Sequence, residues 1–373
     1  MKRALIVATV GRFFDFEKND IKLLQELGYE VHCATNLNLE LIDNVEIANV
    51  INHQIDFDRS PFSKQTLVAY NQLKELLKNY DFDLIHCHTP VGGILTRLVA
   101  KKYRKNGAKV IYTAHGFHFF KGAPKINWLI FYPLEKFFSR FTDILITINK
   151  EDYQIAQKKF NANQVEYVPG VGIDVKKFNR DNFDVADIRR KLGLTKADII
   201  ALSVGELSTR KNHEVVIKAI SKLPDEYLDN FKYLIVGNGD LEDYLKSLTE
   251  QLNLENKVMF LGYRKDIPEL CAISDMFLFP SLQEGLPVAL MEAMASGLPV
   301  ICSNIRGTVD LINDETNGYL YNCYDIEGFA QGIEKSIDSL GSKEKMINIE
   351  AVKAFDLGNV EKKMKKIYLS IER

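Results

Sequence analysis

Ile199-Ile200-Ala201-Leu202-Ser203-Val204-Gly205-Glu206-Leu207-Ser208-Thr209-Arg210-Lys211-Asn212 reads as a buried strand that ends at a glycine and delivers a basic pair just beyond it. Near-continuous apolar character marks a strand covered on both faces, as in parallel sheets. Similar runs follow at Phe231–Gly237, Lys257–Gly262, Asp275–Pro280 and Pro299–Ser303, with helix-like stretches between them. The preceding half of the chain holds the same pattern. Ala4–Val10, Glu30–Thr35, Asp83–His88, Lys109–Ala114 and Asp143–Ile148 read as strands. Asp20–Leu27, Lys64–Lys78 and Gly92–Lys105 are amphipathic and read as helices between them. A βαβ alternation that occurs twice predicts an α/β protein of two Rossmann-like, doubly wound parallel-sheet domains.

The boundary falls in Val168-Pro169-Gly170-Val171-Gly172-Ile173-Asp174, where Pro and Gly break regular structure. The expected division is an N-terminal domain at 1–170, a second domain at 171–354 and a C-terminal helix at 355–373. That last helix, Phe355–Ile371, carries Met364, Ile367, Tyr368 and Ile371 at helical spacing after the second sheet is complete. It is therefore expected to cross back and pack on the first domain.

Composition narrows the function. With 373 residues, of which 46% are hydrophobic, the chain is long enough for two cores. A formal charge of −2 argues against a nucleic-acid binder. Residues 1–170 hold 22 Lys+Arg against 18 Asp+Glu, so the first half is basic and the remainder acidic. Cys33, Cys87, Cys271, Cys302 and Cys323 have no CxxC spacing and read as reduced thiols of a cytoplasmic protein. The apolar run after Met1-Lys2-Arg3 is short and precedes Arg12 and Asp15, so it reads as a first strand and not a signal peptide. No stretch reaches the ~20 apolar residues that span a bilayer.

Ligands of doubly wound sheets sit beyond the carboxyl ends of the strands. The strongest candidate there is Glu284-Gly285-Leu286-Pro287-Val288-Ala289-Leu290-Met291-Glu292. A glycine loop that opens a helix presents free N–H groups and the positive end of the dipole to sugar hydroxyls and phosphate oxygens. Glu284 on the loop suits sugar hydroxyls; Glu292, two turns on, suits a ribose diol. Surface helices often carry such carboxylate pairs, and it is the surrounding Ser281, Gly285, Pro287 and Gly297 that favour a site. At the first turn of the second domain, Gly205 permits close backbone approach, and Arg210 with Lys211 can neutralise a diphosphate. A solvated Arg-Lys pair is commoner in general, but its place at a switch-point turn favours phosphate. The Walker pattern is absent, which disfavours P-loop chemistry. Gly237, in Val236-Gly237-Asn238-Gly239-Asp240, is as consistent with a tight turn as with a ligand contact. Tyr263 and Arg264 follow another strand, where backbone groups can meet a nucleobase edge.

In the first domain, His115 stands directly at a strand end before Gly116 and reads as a site residue, whereas His118 reads as structural. His86 and His88 share a strand face. No carboxylate at ligand spacing accompanies them, so no metal site is assigned.

Taken together, Glu284-x7-Glu292, the Gly205…Arg210-Lys211-Asn212 loop and His115-Gly116 resemble the retaining glycosyltransferases of family 4, with the GT-B fold, over essentially the whole chain. Residues 112–119 and 145–152 resemble the bacterial branch that builds capsular and exopolysaccharide repeat units. The resemblance implies two domains facing a central cleft that closes about residues 168–174, the first (1–170) taking the acceptor and the second (171–354) the nucleotide-sugar donor. It implies that Glu284 and His115 stand beside the transferred sugar, that Glu292 holds the donor ribose, and that Arg210 and Lys211 bind the pyrophosphate. It also implies that the Gly285 and Leu286 amides meet sugar and phosphate, and that no metal or other cofactor is needed. The expected reaction moves a hexose or N-acetylhexosamine from a nucleotide sugar, UDP-linked, to a polyprenyl-diphosphate-linked sugar. Where many relatives have a Gly-Gly pair in the first loop, this chain has Gly11 between Val10 and Arg12, which leaves that loop's place over the donor phosphate open. A nucleotide-sugar epimerase of the same fold and a non-catalytic partner subunit are the alternatives. The first would turn over donor without acceptor; the intact Glu and Arg-Lys pairs count against the second.

Between Arg97 and Arg140 stand ten basic residues (Arg97, Lys101, Lys102, Arg104, Lys105, Lys109, Lys121, Lys125, Lys136, Arg140) and one acidic residue, Glu135. Phe117, Phe119, Phe120, Trp128, Phe131, Tyr132, Phe137 and Phe138 are interleaved. The expectation is an enzyme peripheral to the inner face of the cell membrane, its N-terminal domain docked on anionic lipid. The competing reading puts Phe131, Leu134, Phe137 and Phe138 on the core face of a helix.

Overall fold

The computed structural model describes residues 1–39, 49–58, 60, 63–340 and 344–371, with the side chains of 344–346 left out. The chain divides into two compact units, Met1–Val171 with Gly358–Arg373, and Gly172–Leu357.

In the first unit the strands are β1 (Lys2–Val10), β2 (Tyr29–Asn36), β3 (Val50–Gln54), β4 (Leu84–His88), β5 (Lys109–Ala114), β6 (Ile144–Thr147) and β7 (Gln164–Tyr167). Among the described residues they form one sheet in the order β3-β2-β1-β4-β5-β6-β7. Every pairing is parallel; β1, for example, sets Ala4 beside Val31 on one flank and Leu84 on the other. The helices are α1 (Phe14–Glu26), α2 (Gln65–Asn79), α3 (Pro90–Arg104), α4 (Lys125–Phe138) and α5 (Lys150–Lys159).

Alternation along the strands feeds two cores, because successive side chains point to opposite faces. Leu5, Val7, Ile85, Cys87, Val110 and Tyr112 pack with Leu73 of α2 and Leu95 of α3. Ala4, Ile6, Ala8, Leu84, Ile111 and Ile144 pack on the other face with Ile21 and Leu24 of α1.

The second unit repeats the plan with β8 (Ile199–Val204), β9 (Phe231–Val236), β10 (Val258–Phe260), β11 (Met276–Phe279), β12 (Val300–Ser303) and β13 (Tyr319–Tyr321). Their order is β10-β9-β8-β11-β12-β13. Its helices are α6 (Val185–Lys191), α7 (His213–Ile220), α8 (Asp225–Leu228), α9 (Glu242–Gln251), α10 (Ile267–Ile273), α11 (Val288–Ala295), α12 (Ile326–Asp338) and α13 (Glu344–Val352).

The expected C-terminal helix, Phe355–Ile371, starts two residues later than the sequence predicts. Phe355 ends a short 3-10 turn, Asp356 is extended and bridges Ile173, and α14 runs Leu357–Ser370. The helix does return to the first unit. Val360, Met364, Ile367 and Tyr368 complete the core on the α1 face of the sheet.

Candidate functional site

In each sheet the strand order reverses at one place, between β1 and β4 and between β8 and β11. Loops on the two sides of such a point run in opposite directions and leave a crevice at the strands' carboxyl ends. In the second unit the loop after β8 carries Arg210 and Lys211, and the loop after β11 carries Glu284. Their charges meet. Lys211 Nζ donates to Glu284 Oε1 at 2.7 Å, and Arg210 Nη1 to the same oxygen at 3.0 Å. The backbone joins the loops as well, since Leu282 N–H donates to the Arg210 carbonyl at 2.8 Å. Asn212, in the left-handed conformation before α7, sends its side-chain amide to the carbonyls of Pro280 and Cys323. A carboxylate that holds two cations beside a helix start is a movable counter-charge: a competing anion can take the cations.

Glu284 stands four residues ahead of α11, and Glu292 lies within that helix. Burial pushes the Glu292 carboxyl up to about 7, with the nearby Lys177 opposing the shift. Leu286 is buried in the core and Gly285 is half-buried between the two glutamates. Two residues that sequence reading missed fix this loop. Arg306, in the loop after β12, donates from Nε to the Glu284 carbonyl at 3.1 Å. Gly307 has φ +85°, and a Cβ there would lie 2.4 Å from the Gly285 carbonyl oxygen. Their only sequence signal is a position past a strand end.

Gly237 resolves toward close packing. Its φ is +144°, a Cβ there would lie 1.9 Å from the Gly205 carbonyl oxygen, and its N–H donates to the Gly262 carbonyl at 2.9 Å. The loops after β8, β9 and β10 are thus stacked backbone on backbone. Beyond them Tyr263 is exposed, while Arg264 is held by Asp266, Nε to Oδ1 at 2.8 Å.

In the first unit, Gly11 opens a short 3-10 turn after β1. Two residues on, the Phe13 ring packs edge-on against His115 at 4.7 Å and lies 5.5 Å from His88. Burial lowers the His115 imidazole to about 4. His118 stacks on Phe131 at 4.6 Å. His86 is structural, hydrogen-bonded by Nδ1 to Tyr368 Oη at 2.9 Å and by Nε2 to Thr113 Oγ1 at 2.8 Å. The expectation that no carboxylate accompanies these histidines is corrected: Glu17, from α1, places Oε1 3.5 Å from His88 Nδ1 and 3.7 Å from His115 Nε2. Linear spacing cannot show this, because the carboxylate comes from a different layer of the fold.

The basic, aromatic stretch also needs correction. Arg97 is fully buried, donating to Glu135 at 2.8 Å with its guanidinium 3.9 Å from the Tyr112 ring centre. Phe117, Phe119, Phe120 and Phe138 are core residues. What faces outward is a stripe of α4, with Ile126, Leu129, Pro133 and Phe137 exposed and Lys121, Lys125 and Arg140 exposed around it. Among the described residues, no helix is long and apolar enough to cross a membrane.

Comparison with known proteins agrees with this architecture. Residues 3–149 match the "Glycosyl transferase 4-like" family model and residues 184–351 match "Glycosyl transferases group 1". EpsD of Bacillus subtilis (strain 168), a candidate glycosyltransferase by its name, is 37% identical over 90% of this chain and 87% of its own. The UDP-Gal:alpha-D-GlcNAc-diphosphoundecaprenol alpha-1,3-galactosyltransferase of Escherichia coli is 32% identical over 80% of this chain and 78% of its own. Among solved structures, Anabaena Alr3699/HepE in complex with UDP and glucose superposes with a TM-score of 0.78 at 20% identity, covering 99% of this chain and all of that one. Twin parallel sheets, charged loops at the switch point of the second and relatives over nearly the full length lead to one assignment: the chain belongs to the group 1, family-4-type glycosyltransferases of GT-B fold.

Proposed function

We propose that this glycosyltransferase moves a hexose or N-acetylhexosamine from a UDP-sugar to a polyprenyl-diphosphate-linked sugar, with retention of anomeric configuration and without a metal, in surface polysaccharide synthesis. The observation that carries the reading is the convergence of Arg210 and Lys211 on Glu284 at the switch point. As the sugar–phosphate bond breaks, the diphosphate gains charge while the anomeric carbon becomes cationic. Two cations placed ahead of the reaction stabilise the first without reorganising. Glu284, released from them by the diphosphate, is free to accept from hydroxyls of the transferred sugar. Glu292, on the next turns of the same segment, accepts from the ribose diol. A catalytic role for His115, at the end of β5 in the first unit, is supported by the resemblance of His115-Gly116 to the family motif. The lipid-linked acceptor is supported by the name of the Escherichia coli relative. Placement at an anionic inner leaflet is supported by the exposed apolar stripe of α4 and its surrounding lysines.

The test is incubation with UDP-, GDP- and ADP-sugars and a synthetic polyprenyl-diphosphate N-acetylhexosamine, in the presence of EDTA. Transfer from a UDP-sugar with the donor's anomeric configuration kept in the product is expected. Epimerised donor without transfer would overturn the reading.

A further inference from the structure

Three side chains from separate elements of the first unit converge on one point. Glu17 comes from α1, His88 is the last residue of β4, and His115 follows β5. His88 Nδ1 lies 3.2 Å from His115 Nε2, and Glu17 Oε1 lies 3.5 Å from the first and 3.7 Å from the second. The two imidazoles share a hydrogen bond, which an ion would replace, whereas the carboxylate contacts are longer than hydrogen bonds. The three separations are those expected between ligands of one ion. A triangle with these sides has a circumradius of about 2.0 Å, so an ion raised about 0.7 Å from its plane, as a fourth ligand requires, lies about 2.1 Å from each donor, within the Zn–N and Zn–O range.

The surroundings hold these donors in place. Glu17 is 4% exposed and His88 1%. Phe13 packs against both imidazoles, and the His86 ring lies 4.2 Å from that of His88. Rings fixed in this way need little rearrangement to bind. The His115 side chain, 22% exposed, leaves one side open.

We infer that Glu17, His88 and His115 form a binding site for a divalent transition-metal ion of the zinc class, with water in the fourth position. Two imidazoles and a carboxylate favour zinc, cobalt or nickel over magnesium or calcium, which take oxygen ligands. Binding itself does not depend on the proposed reaction. Its consequence does: His115 is a proposed catalytic residue, so a metal on its Nε2 would inhibit transfer reversibly.

The experiment uses the full chain, stripped with EDTA and dialysed. Cobalt(II) is titrated while the visible spectrum is recorded, and zinc affinity is measured by competition with a chromophoric chelator. One equivalent of cobalt with the intense bands of a four-coordinate ion is expected. Glu17→Gln and His88→Gln should each weaken zinc at least tenfold, and His118→Asn should not. Circular dichroism and thermal melting establish that the variants fold. Should either fail to fold, His115→Ala, at the more exposed ligand, takes its place. Absence of stoichiometric binding, or binding kept by the ligand variants, overturns the site. Zinc that binds here without inhibiting an active enzyme leaves the site standing and removes His115 from the proposed reaction.

Discussion

Lys211 Nζ sits 2.7 Å from Glu284 Oε1, although the residues are 73 positions apart. Both side chains are nearly nine-tenths buried, so the pair is only weakly screened by solvent. The carboxylate is engaged by two cations at once, and each variant at this point should split donor binding from transfer in its own way.

Arg210→Ala should weaken UDP binding by about ten-fold or more, the worth of one charge-assisted hydrogen bond. Glu284→Gln should leave UDP affinity unchanged or raised, because both cations lose a competitor, while transfer falls by about 100-fold or more. Calorimetry with UDP and initial rates with the complete substrates measure the two effects. Lost UDP affinity in Glu284→Gln would count against this arrangement.

Glu292 gives a pH dependence whose sign is fixed. Its folded value, about 7, lies above the ordinary carboxyl value of 4.5. The folded state therefore holds this proton more tightly than the unfolded chain does. The contribution is fully present below pH ~4.5 and is lost as pH rises through about 7. Glu292→Gln should melt like wild type at pH 4.5 and be more stable at pH 8, by on the order of 1–3 kcal/mol. Equal melting temperatures at pH 8 would show that the carboxyl is not destabilised by burial.

Gly237→Ala should be costly although the added group is one methyl. A Cβ at that position meets the Gly205 carbonyl oxygen at 1.9 Å, and a φ of +144° is foreign to alanine. Loss of more than about 2 kcal/mol is expected, with a raised KM for the nucleotide donor because Gly205 and Lys211 share the displaced loop. Denaturant unfolding and donor titration test both parts.

Removal of residues 356–373 should destabilise the first unit specifically. Val360, Met364, Ile367 and Tyr368 are all buried against it, and each such side chain is worth roughly 1.5–3 kcal/mol. Hydrogen exchange should rise across β1, β4 and β5 and stay unchanged in β8 and β9. The milder Tyr368→Phe removes the hydrogen bonds to His86 and Asp20 and should cost about 1–3 kcal/mol.

Sedimentation with anionic liposomes tests the α4 stripe. Binding should be strong at low salt and fall as salt screens the lysines. Leu129→Glu and Phe137→Glu, both at exposed positions, should weaken it without lowering the melting temperature. Unaltered sedimentation of these variants would assign any membrane binding to another surface.

What was legible in the sequence was whatever a single segment encodes. Strands buried on both faces write continuous apolar runs, so β1, β4, β5, β8 and β11 were found nearly to the residue. β3 and β7 escaped because they lie at the edges of their sheet and are largely exposed or half-buried, which dilutes the apolar signal. β13 is three residues long and half-buried. The meeting of Arg210 and Lys211 with Glu284 was legible as far as each segment's place past a strand end. That both cations share one oxygen was not. Glu17, Arg306 and Gly307 were invisible for a common reason: each acts on a loop from another part of the chain, and only the folded topology makes them neighbours. Arg97 shows the opposite error, a cation counted as surface that is buried because Glu135 and Tyr112 receive it.

The return of α14 has a consequence for how the protein is made. A ribosome delivers the first unit's sheet long before the helix that covers its α1 face. Some 200 residues, including the whole second unit, must emerge between β7 and Tyr368. At about 5–20 residues per second that is on the order of 10–40 seconds. During this interval the apolar groups that receive Val360, Met364 and Ile367 are open to water. The second unit is complete first, so the nascent chain finishes its later half before its earlier one.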